Sequence, residues 1–291
     1  MKHIVDFSGG LCSFWAAHRV IQRYGTKDVV LLFADTLEED EDLYTFNRQA
    51  EQFLGVPVTR LSLEISPWDL FEKEGLIGNK RFPICSVRLK REPLYDYRER
   101  HCLNQQEIAQ LQLLGLADDR DDTIGYLGFD WTESHRIDAI RKEKPLYRWV
   151  ATMNEWSPFW NKDDMVREAA SVGIIIPKAY KLGFPHNNCG MRCVQAGISH
   201  WVHLYHVRPD RFIDWEQKEQ RCLQSFARRG IQQMTMLKSR KGGVTRPLPL
   251  KELRQRIETG EKFRMDAWGG CGCAGAVKPI DPNAPDYVIE D

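Results

Sequence analysis

Ile4-Val5-Asp6-Phe7-Ser8-Gly9-Gly10-Leu11-Cys12-Ser13 is the stretch on which the reading of the fold turns. An apolar run of strand length enters two hydroxyls and two glycines. The turn opens at once into Phe14-Trp15-Ala16-Ala17-His18-Arg19-Val20-Ile21, where Phe14, Ala17 and Ile21 share one helical face. Glycine leaves no Cβ in the way, so successive N–H groups and the helix N-terminus can converge on an anion. Ser8 and Ser13 add hydroxyl donors, which makes Ser8, Gly9, Gly10 and Ser13 a candidate phosphate cradle. The turn has neither the Gly-Lys-Ser/Thr ending of a Walker A loop nor a G-x-G-x-x-G fingerprint. An ordinary packing turn would use the same glycines, so the neighbouring segments have to decide.

Downstream, Asp28-Val29-Val30-Leu31-Leu32-Phe33-Ala34 reads as a strand buried on both faces of a parallel sheet, ending in Asp35-Thr36. An acidic cluster over 38–42 leads a helix with Leu43, Phe46, Ala50 and Phe53/Leu54 as its apolar stripe, and a third strand is expected over 56–63. This β-α-β-α-β alternation predicts an α/β fold, a doubly wound parallel sheet with right-handed crossovers. Ligands of such sheets lie at the carboxyl ends of the strands, where the glycine turn and Asp35-Thr36 both fall. Asp35 suits a ribose hydroxyl or Mg²⁺, or merely the cap of the next helix.

Further along, a short helix is expected over 66–75. Arg81, Arg88, Lys90 and Arg91 then surround Cys85, a charge run that an exposed helix face would also carry. A peripheral helix is expected over 108–116, a strand over 123–129 ending in Asp130-Trp131-Thr132-Glu133-Ser134-His135-Arg136, and another strand over 149–153. Asp163-Asp164 are expected to cap a helix that ends near Gly173. Residues 195–226 read as helical, 238–243 as a basic flexible loop and 250–257 as an amphipathic helix, and the Pro- and Asp-rich tail as loose.

The 291 residues, 42% hydrophobic and 28% charged, allow one large domain or a domain with an appendage. Lys+Arg and Asp+Glu both number 41, so no global field draws the chain to nucleic acid or anionic lipid. No apolar run approaches a membrane span, and a strand begins at the N-terminus without a signal peptide, so a cytoplasmic protein with no membrane partner is expected.

Several of these segments resemble one superfamily in its own order. Ser-Gly-Gly-x-x-Ser is similar to the pyrophosphate loop of PP-loop ATP pyrophosphatases and the phosphoadenylylsulfate (PAPS) reductase-like proteins, the adenine nucleotide alpha hydrolase-like group with a Rossmann-like, HUP-type sheet. Phe33-Ala34-Asp35-Thr36 looks like that group's second strand end. Cys85-Ser86-Val87-Arg88-Leu89-Lys90 looks like its Cys-Thr-x-x-Leu-Lys segment, whose cations face the nucleotide phosphates; Arg88 and Lys90 are the matching positions. Gly128 to Arg136 is similar to its Gly-Glu-Ser-x-x-Arg strand end, though Arg136 follows Ser134 by only two residues. By this resemblance Ser8, Gly9, Gly10, Ser13, Asp35, Thr36 and Arg136 bind an adenine nucleotide, ATP or PAPS/APS, with Mg²⁺. Arg88 and Lys90 serve the chemistry, and Asp130 or Glu133 offers carboxylates for Mg²⁺ or ribose. The domains implied are a nucleotide-binding α/β domain over 1–200 and a helical, cysteine-containing region over 201–291 packing on the site.

Eight cysteines in a chain read as cytoplasmic point to metal or redox use rather than disulfides. Cys12, Cys102 and Cys222 sit in helical or apolar surroundings and read as small hydrophobes. Cys85, Cys189, Cys193, Cys271 and Cys273 lie in Gly- or Pro-flanked loops, where four thiolates would suit a [4Fe–4S] cluster or Zn²⁺, although reduced bystander thiols fit too. The resemblance favours iron–sulfur, because adenylylsulfate reductases and the sulfur-incorporating enzymes of DNA phosphorothioation carry such clusters. It also makes Cys271 or Cys273 a candidate nucleophile. His186 is a weaker acid/base candidate.

Three functions remain open on these grounds: ATP-dependent adenylation of an acceptor coupled to sulfur transfer, reduction of a sulfonucleotide with release of sulfite, or nucleotide binding without chemistry. Implied partners are a sulfur donor or a thiol reductant protein. A nucleic-acid acceptor is also open, with Arg228-Arg229 and Arg240-Lys241 as a candidate phosphate-binding strip.

Overall fold

The computed structural model describes residues 1–265 except Gln233 and Gly242, and leaves the side chains of Thr132 and Lys241 undescribed. The chain divides into two compact units that interleave in sequence: Met1–Glu64 with Val87–Pro177, and Ile65–Ser86 with the chain from Lys178 onward. The units therefore do not divide at residue 200. The reason lies in 65–86, whose Trp68, Phe71 and Ile77 bury their apolar surface in one cluster with Trp201, Trp215 and Leu253.

The first unit is built on a parallel sheet, consistent with a Rossmann-like α/β fold. Its elements run β1 (Lys2–Asp6), α1 (Leu11–Tyr24), β2 (Val29–Ala34), α2 (Glu41–Leu54) and β3 (Val58–Leu61). After the excursion into the second unit come α4 (Glu92–His101), β4 (Cys102–Leu103), α5 (Gln105–Leu114), β5 (Asp121–Leu127), α6 (Ser134–Glu143), β6 (Arg148–Val150), α7 (Thr152–Glu155) and α8 (Lys162–Ser171), with α3 (Pro67–Glu74) belonging to the excursion. The strand order is β3-β2-β1-β5-β4, and β6 also pairs with β5. Every pairing in this sheet is parallel; Val5 stands between Leu31 and Tyr126.

Burial follows the apolar pattern. Leu43, Phe46, Ala50 and Leu54 are the buried stripe of α2, and Gly55 closes that helix in the left-handed conformation. Two local expectations change. The strand expected over 149–153 stops at Val150, because the next turn is helical and its Thr152 carbonyl accepts a hydrogen bond from Arg19 Nη1 at 2.9 Å. The cap of α8 is Asn161, whose side chain accepts from the Asp164 amide in a capping box, so Asp164 is the reciprocal partner rather than the cap.

The second unit is mainly helical. Ser66 and Asp69 form the capping box of α3. A short α9 (Lys178–Lys181), α10 (Ile198–Val207), α11 (Pro209–Arg228), β7 (Leu237–Lys241), β8 (Val244–Leu248) and α12 (Leu250–Glu258) follow. The helical stretch expected over 195–226 is thus two helices, broken where Pro209, which lacks an N–H, opens the second at its first turn. The basic residues 238–241 are not in a loop. They belong to β7 of an antiparallel hairpin in which Lys238 pairs with Pro247 and Arg240 with Thr245. Its alternation of buried Leu237 and Ser239 with exposed Lys238 and Arg240 has the period of two that a half-buried strand requires. Trp68, Trp201 and Trp215 stack at the centre of the unit, with ring centroids 5.1 Å (Trp68–Trp215) and 5.7 Å (Trp201–Trp215) apart. Among the described residues, no helix is long and apolar enough to cross a membrane.

Candidate functional site

The strand order reverses at β1. The chain leaves it toward β2 and β3 on one side and later places β5 on the other. The crevice at such a switch point is bounded by the loops that follow β1 and β5. After β1 the chain turns through Ser8, Gly9 and Gly10 into α1. Gly9 has φ 73°, and a Cβ there would stand 2.9 Å from both Leu43 Cγ and Asn47 Oδ1 of α2, so conformation and contact both demand glycine. Gly10 is the N-cap of the 14-residue helix α1 and itself offers no side-chain acceptor to the first turn. Ser13 ties the turn together. Its hydroxyl donates to the Gly10 carbonyl at 2.9 Å, accepts from the Ser8 amide at 3.1 Å and meets the Ser8 hydroxyl at 3.2 Å.

After β5, Gly128 lies against the same turn: a Cβ at Gly128 would fall 2.5 Å from Ser13 Cα. The short 3₁₀ turn Trp131–Glu133 then brings Asp130 and Glu133 to Cys12. The ligand atoms of Cys12, Asp130 and Glu133 lie within 4.8 Å of one another, and all three residues are buried. Cys12 is therefore not the plain small hydrophobe expected. Lys162, the first residue of α8, places Nζ 3.0 Å from Cys12 Sγ and 3.9 Å from Asp130 Oδ2, while Arg136 pairs with Glu133 and lies 4.0 Å over the Phe129 ring. Two carboxylates face two cations, so the group balances its charge from within. Burial pushes the Cys12 thiol above its ordinary value, with Lys162 pulling the other way.

The strand end after β2 is occupied differently. Asp35 is buried and accepts from the Leu37 amide at 2.9 Å, the Tyr44 hydroxyl at 2.9 Å and Arg60 Nε at 2.7 Å. Three donors on one carboxylate hold the loop after β2. Thr36 donates to Glu39 at 3.3 Å, and Lys90 Nζ reaches the same Glu39 oxygen at 3.1 Å. Lys90 and Arg88 lie on a π-helical stretch, Ser86–Arg91; there Arg88 is exposed and pairs with Glu92 at 2.8 Å, one turn on. Lys90 is thus bound into the first unit's acidic network and Arg88 sits on its surface.

Three of the expected metal ligands lie in the second unit. Cys85 and Cys193 pack against the hydrophobic cluster of the second unit, and Cys189 belongs to a turn in which Cys189, Gly190 and Met191 have φ 51°, 54° and 66°. Among the described residues, Cys85, Cys189 and Cys193 do not form a group of three ligand atoms within 4.8 Å. Cys271 and Cys273 lie outside the described residues, as does any ligand set that includes them. Arg229, half of one expected basic strip, donates to the Glu72 carbonyl at 2.7 Å and serves structure instead. Lys162 had no signal in the sequence: 150 residues separate it from Cys12 and no motif contains both.

The sequence matches no protein-family model and no curated protein.

Proposed function

We propose that the first unit is a PP-loop, HUP-type nucleotide-binding domain, and that the chain is an enzyme of the PAPS reductase-like and ATP pyrophosphatase kind. The observation that carries this reading is the Ser8-Gly9-Gly10-x-x-Ser13 turn at the switch point, with Gly9 held to glycine by its positive φ and by the atoms a Cβ would meet, and with Gly10 as an N-cap that supplies no side-chain acceptor to α1. Such amides, with Ser8 and Ser13, stabilise the β,γ-phosphates of ATP. An acceptor oxygen then attacks the α-phosphorus, the bond to the pyrophosphate oxygen breaks, and pyrophosphate leaves with the electron pair. The adenylated acceptor is left open to a sulfur nucleophile. Lys162, Arg136 and Lys90, paired with Asp130, Glu133 and Glu39, are the cations that would have to turn to phosphoryl charge.

The metal groups implied by the resemblance fit less well. Asp130 and Glu133 already hold Lys162 and Arg136, and a thiol is not a magnesium ligand, so this group as it stands does not fit Mg²⁺. Cys85, Cys189 and Cys193 are three of the five thiols the resemblance offers to a cluster or Zn²⁺, and the other two, Cys271 and Cys273, lie outside the described residues. No step is derived through either.

Purified anaerobic protein supplied in turn with ATP, adenylyl sulfate and PAPS tests the reading. Release of pyrophosphate from ATP is the expected result. Sulfite release would assign the chain to sulfonucleotide reduction, and binding without turnover would leave a nucleotide-binding protein that has lost its chemistry.

A further inference from the structure

The second unit carries a feature that nucleotide binding in the first does not use. A groove of about 430 Å³ is lined by Lys80, Arg81 and Lys238 together with Gln195 and Gly197, and no carboxylate of the described residues lines it. Lys80, Arg81, Lys238 and, further along the hairpin, Arg240 are all exposed, and none of the four forms an ion pair with a described residue.

The cations are also held in place. Asn79 is buried, and its Oδ1 accepts from the Arg81 amide at 2.9 Å and the Phe82 amide at 3.1 Å, while its own amide donates to the Phe82 carbonyl at 3.0 Å. That closed turn presents Lys80 and Arg81. Lys238 and Arg240 alternate with the buried Leu237 and Ser239, so both lie on one face of the hairpin, two residues or about 7 Å apart. Gly197, the N-cap of α10, lines the groove at a helix start whose first turn contains no acidic residue. Beside the cations, Phe82 is 42% exposed, with the Arg81 guanidinium 5.4 Å from its ring centroid.

A row of unpaired cations with a repeat of several ångströms matches a phosphodiester backbone, and an exposed aromatic ring next to an arginine is the platform on which an unpaired base stacks. We propose that this face of the second unit binds single-stranded nucleic acid, with Lys80, Arg81, Lys238 and Arg240 on the backbone and Phe82 against a base. The surface stands independently of the reading of the first unit.

Fluorescence anisotropy of the full chain with a labelled single-stranded oligothymidylate, its uridylate counterpart, the matching duplex and inorganic polyphosphate tests it. Four phosphate contacts predict an affinity for single strands that falls about fifty-fold between roughly 50 and 200 mM salt. The quadruple variant Lys80→Gln, Arg81→Gln, Lys238→Gln, Arg240→Gln abolishes that binding. All four residues are exposed, and circular dichroism confirms that the variant is folded. Lys80→Gln alone lowers the salt slope by about 0.7. Phe82→Ala weakens binding about five-fold or more and leaves the slope unchanged. Absence of binding at low salt, binding that survives the quadruple variant, a preference for duplex, or equal competition by polyphosphate would each overturn the proposal.

Discussion

The charges around the crevice of the first unit and those along the groove of the second are arranged on opposite principles. In the crevice, Lys162 meets Asp130, Arg136 meets Glu133, Lys90 meets Glu39 and Arg60 meets Asp35. In the groove, Lys80, Arg81, Lys238 and Arg240 meet no carboxylate among the described residues. A buried charge without its partner costs several kcal/mol, so internal pairing keeps a site folded and fixes where each cation stands before any ligand arrives. Exposed cations have water as their partner and lose little by waiting. The crevice is therefore a site of geometry, and the groove a surface of field. Substitutions in the first should be felt as stability, and in the second as salt dependence.

The contrast is most easily broken at Gly128. If the crevice depends on close approach, Gly128→Ala must drive β5 away from the start of α1, because its Cβ would stand 2.5 Å from Ser13 Cα and 2.7 Å from Ser13 N, both backbone atoms. Overpacking of this kind costs about 3 kcal/mol. Chemical denaturation should show that loss, and calorimetry with ATP should show weaker binding in whatever remains folded. An unchanged midpoint would mean that the turn is looser than its contacts imply.

The second unit has buried charges of its own, and one of them sharpens the comparison from the other side. Glu219 on α11 is fully buried, and its Oε2 accepts from the Leu250 amide at 2.6 Å, at the start of α12. Burial pushes its carboxyl up to about 7, against the pull of the backbone donors. The folded state thus keeps this proton longer than the unfolded chain does. Its contribution to stability is full below about 4.5 and is lost as pH rises to about 7 and beyond. Glu219→Gln keeps an acceptor for Leu250 and removes the charge. The variant should match the native chain near the lower value and exceed it at pH above about 7 by about 2 to 3 kcal/mol, read from urea midpoints across pH. His200, which burial lowers to about 4, contributes with the opposite sign, but it is common to both proteins and drops out of the difference. A variant no more stable at high pH would show that the fold lets Glu219 ionise as readily as the unfolded chain does.

Lys162→Met comes next in size. The ammonium is about one-fifth exposed, so its loss leaves Asp130 without its nearest cation at a cost of about 2 kcal/mol, less than for a fully enclosed pair. The same change removes the one charge that lowers the Cys12 thiol, so labelling of Cys12 in the native state should slow further. Faster labelling would mean that Lys162 shields the sulfur rather than activating it.

How far the sequence foretold these arrangements depends on the range of the interaction concerned. Local signals read well. The apolar run before Ser8, the stripe of α2 closed by Gly55 and the Ser66 start of α3 each declare their element within a few residues, and parallel order followed from alternation alone. The hairpin was hidden because Lys238-Ser239-Arg240 carries its apolar partners only on alternate residues and shows a basic face. The interleaving of the units was hidden because Trp68 finds Trp215 across about half the chain. In the crevice, Ser8, Gly9, Gly10 and Ser13 were legible as a motif, whereas Cys12, Lys162 and Asp130 become a group only when α1, α8 and the turn after β5 meet. The basic groove was illegible for the same reason: Lys80 and Lys238 are neighbours only in space.

The smallest expected effect separates structure from chemistry most cleanly. Arg88 and Lys90 are two residues apart on one π-helical stretch and were assigned one role by resemblance, yet they are held differently. Lys90 Nζ lies 3.1 Å from Glu39, whose side chain is almost wholly buried, so removing Lys90 strands a buried carboxylate and confuses folding with function. Arg88 is half exposed, and its pair with Glu92 is an i,i+4 surface pair. Such pairs contribute about 0.3 to 0.5 kcal/mol, so Arg88→Ala should leave the denaturation midpoint almost unmoved. Any fall in pyrophosphate release by this variant then measures contact with the nucleotide and nothing else. If Arg88→Ala released pyrophosphate at the native rate, the guanidinium would belong with the solvated surface charges, and Lys90, Arg136 and Lys162 would be left to meet the phosphates.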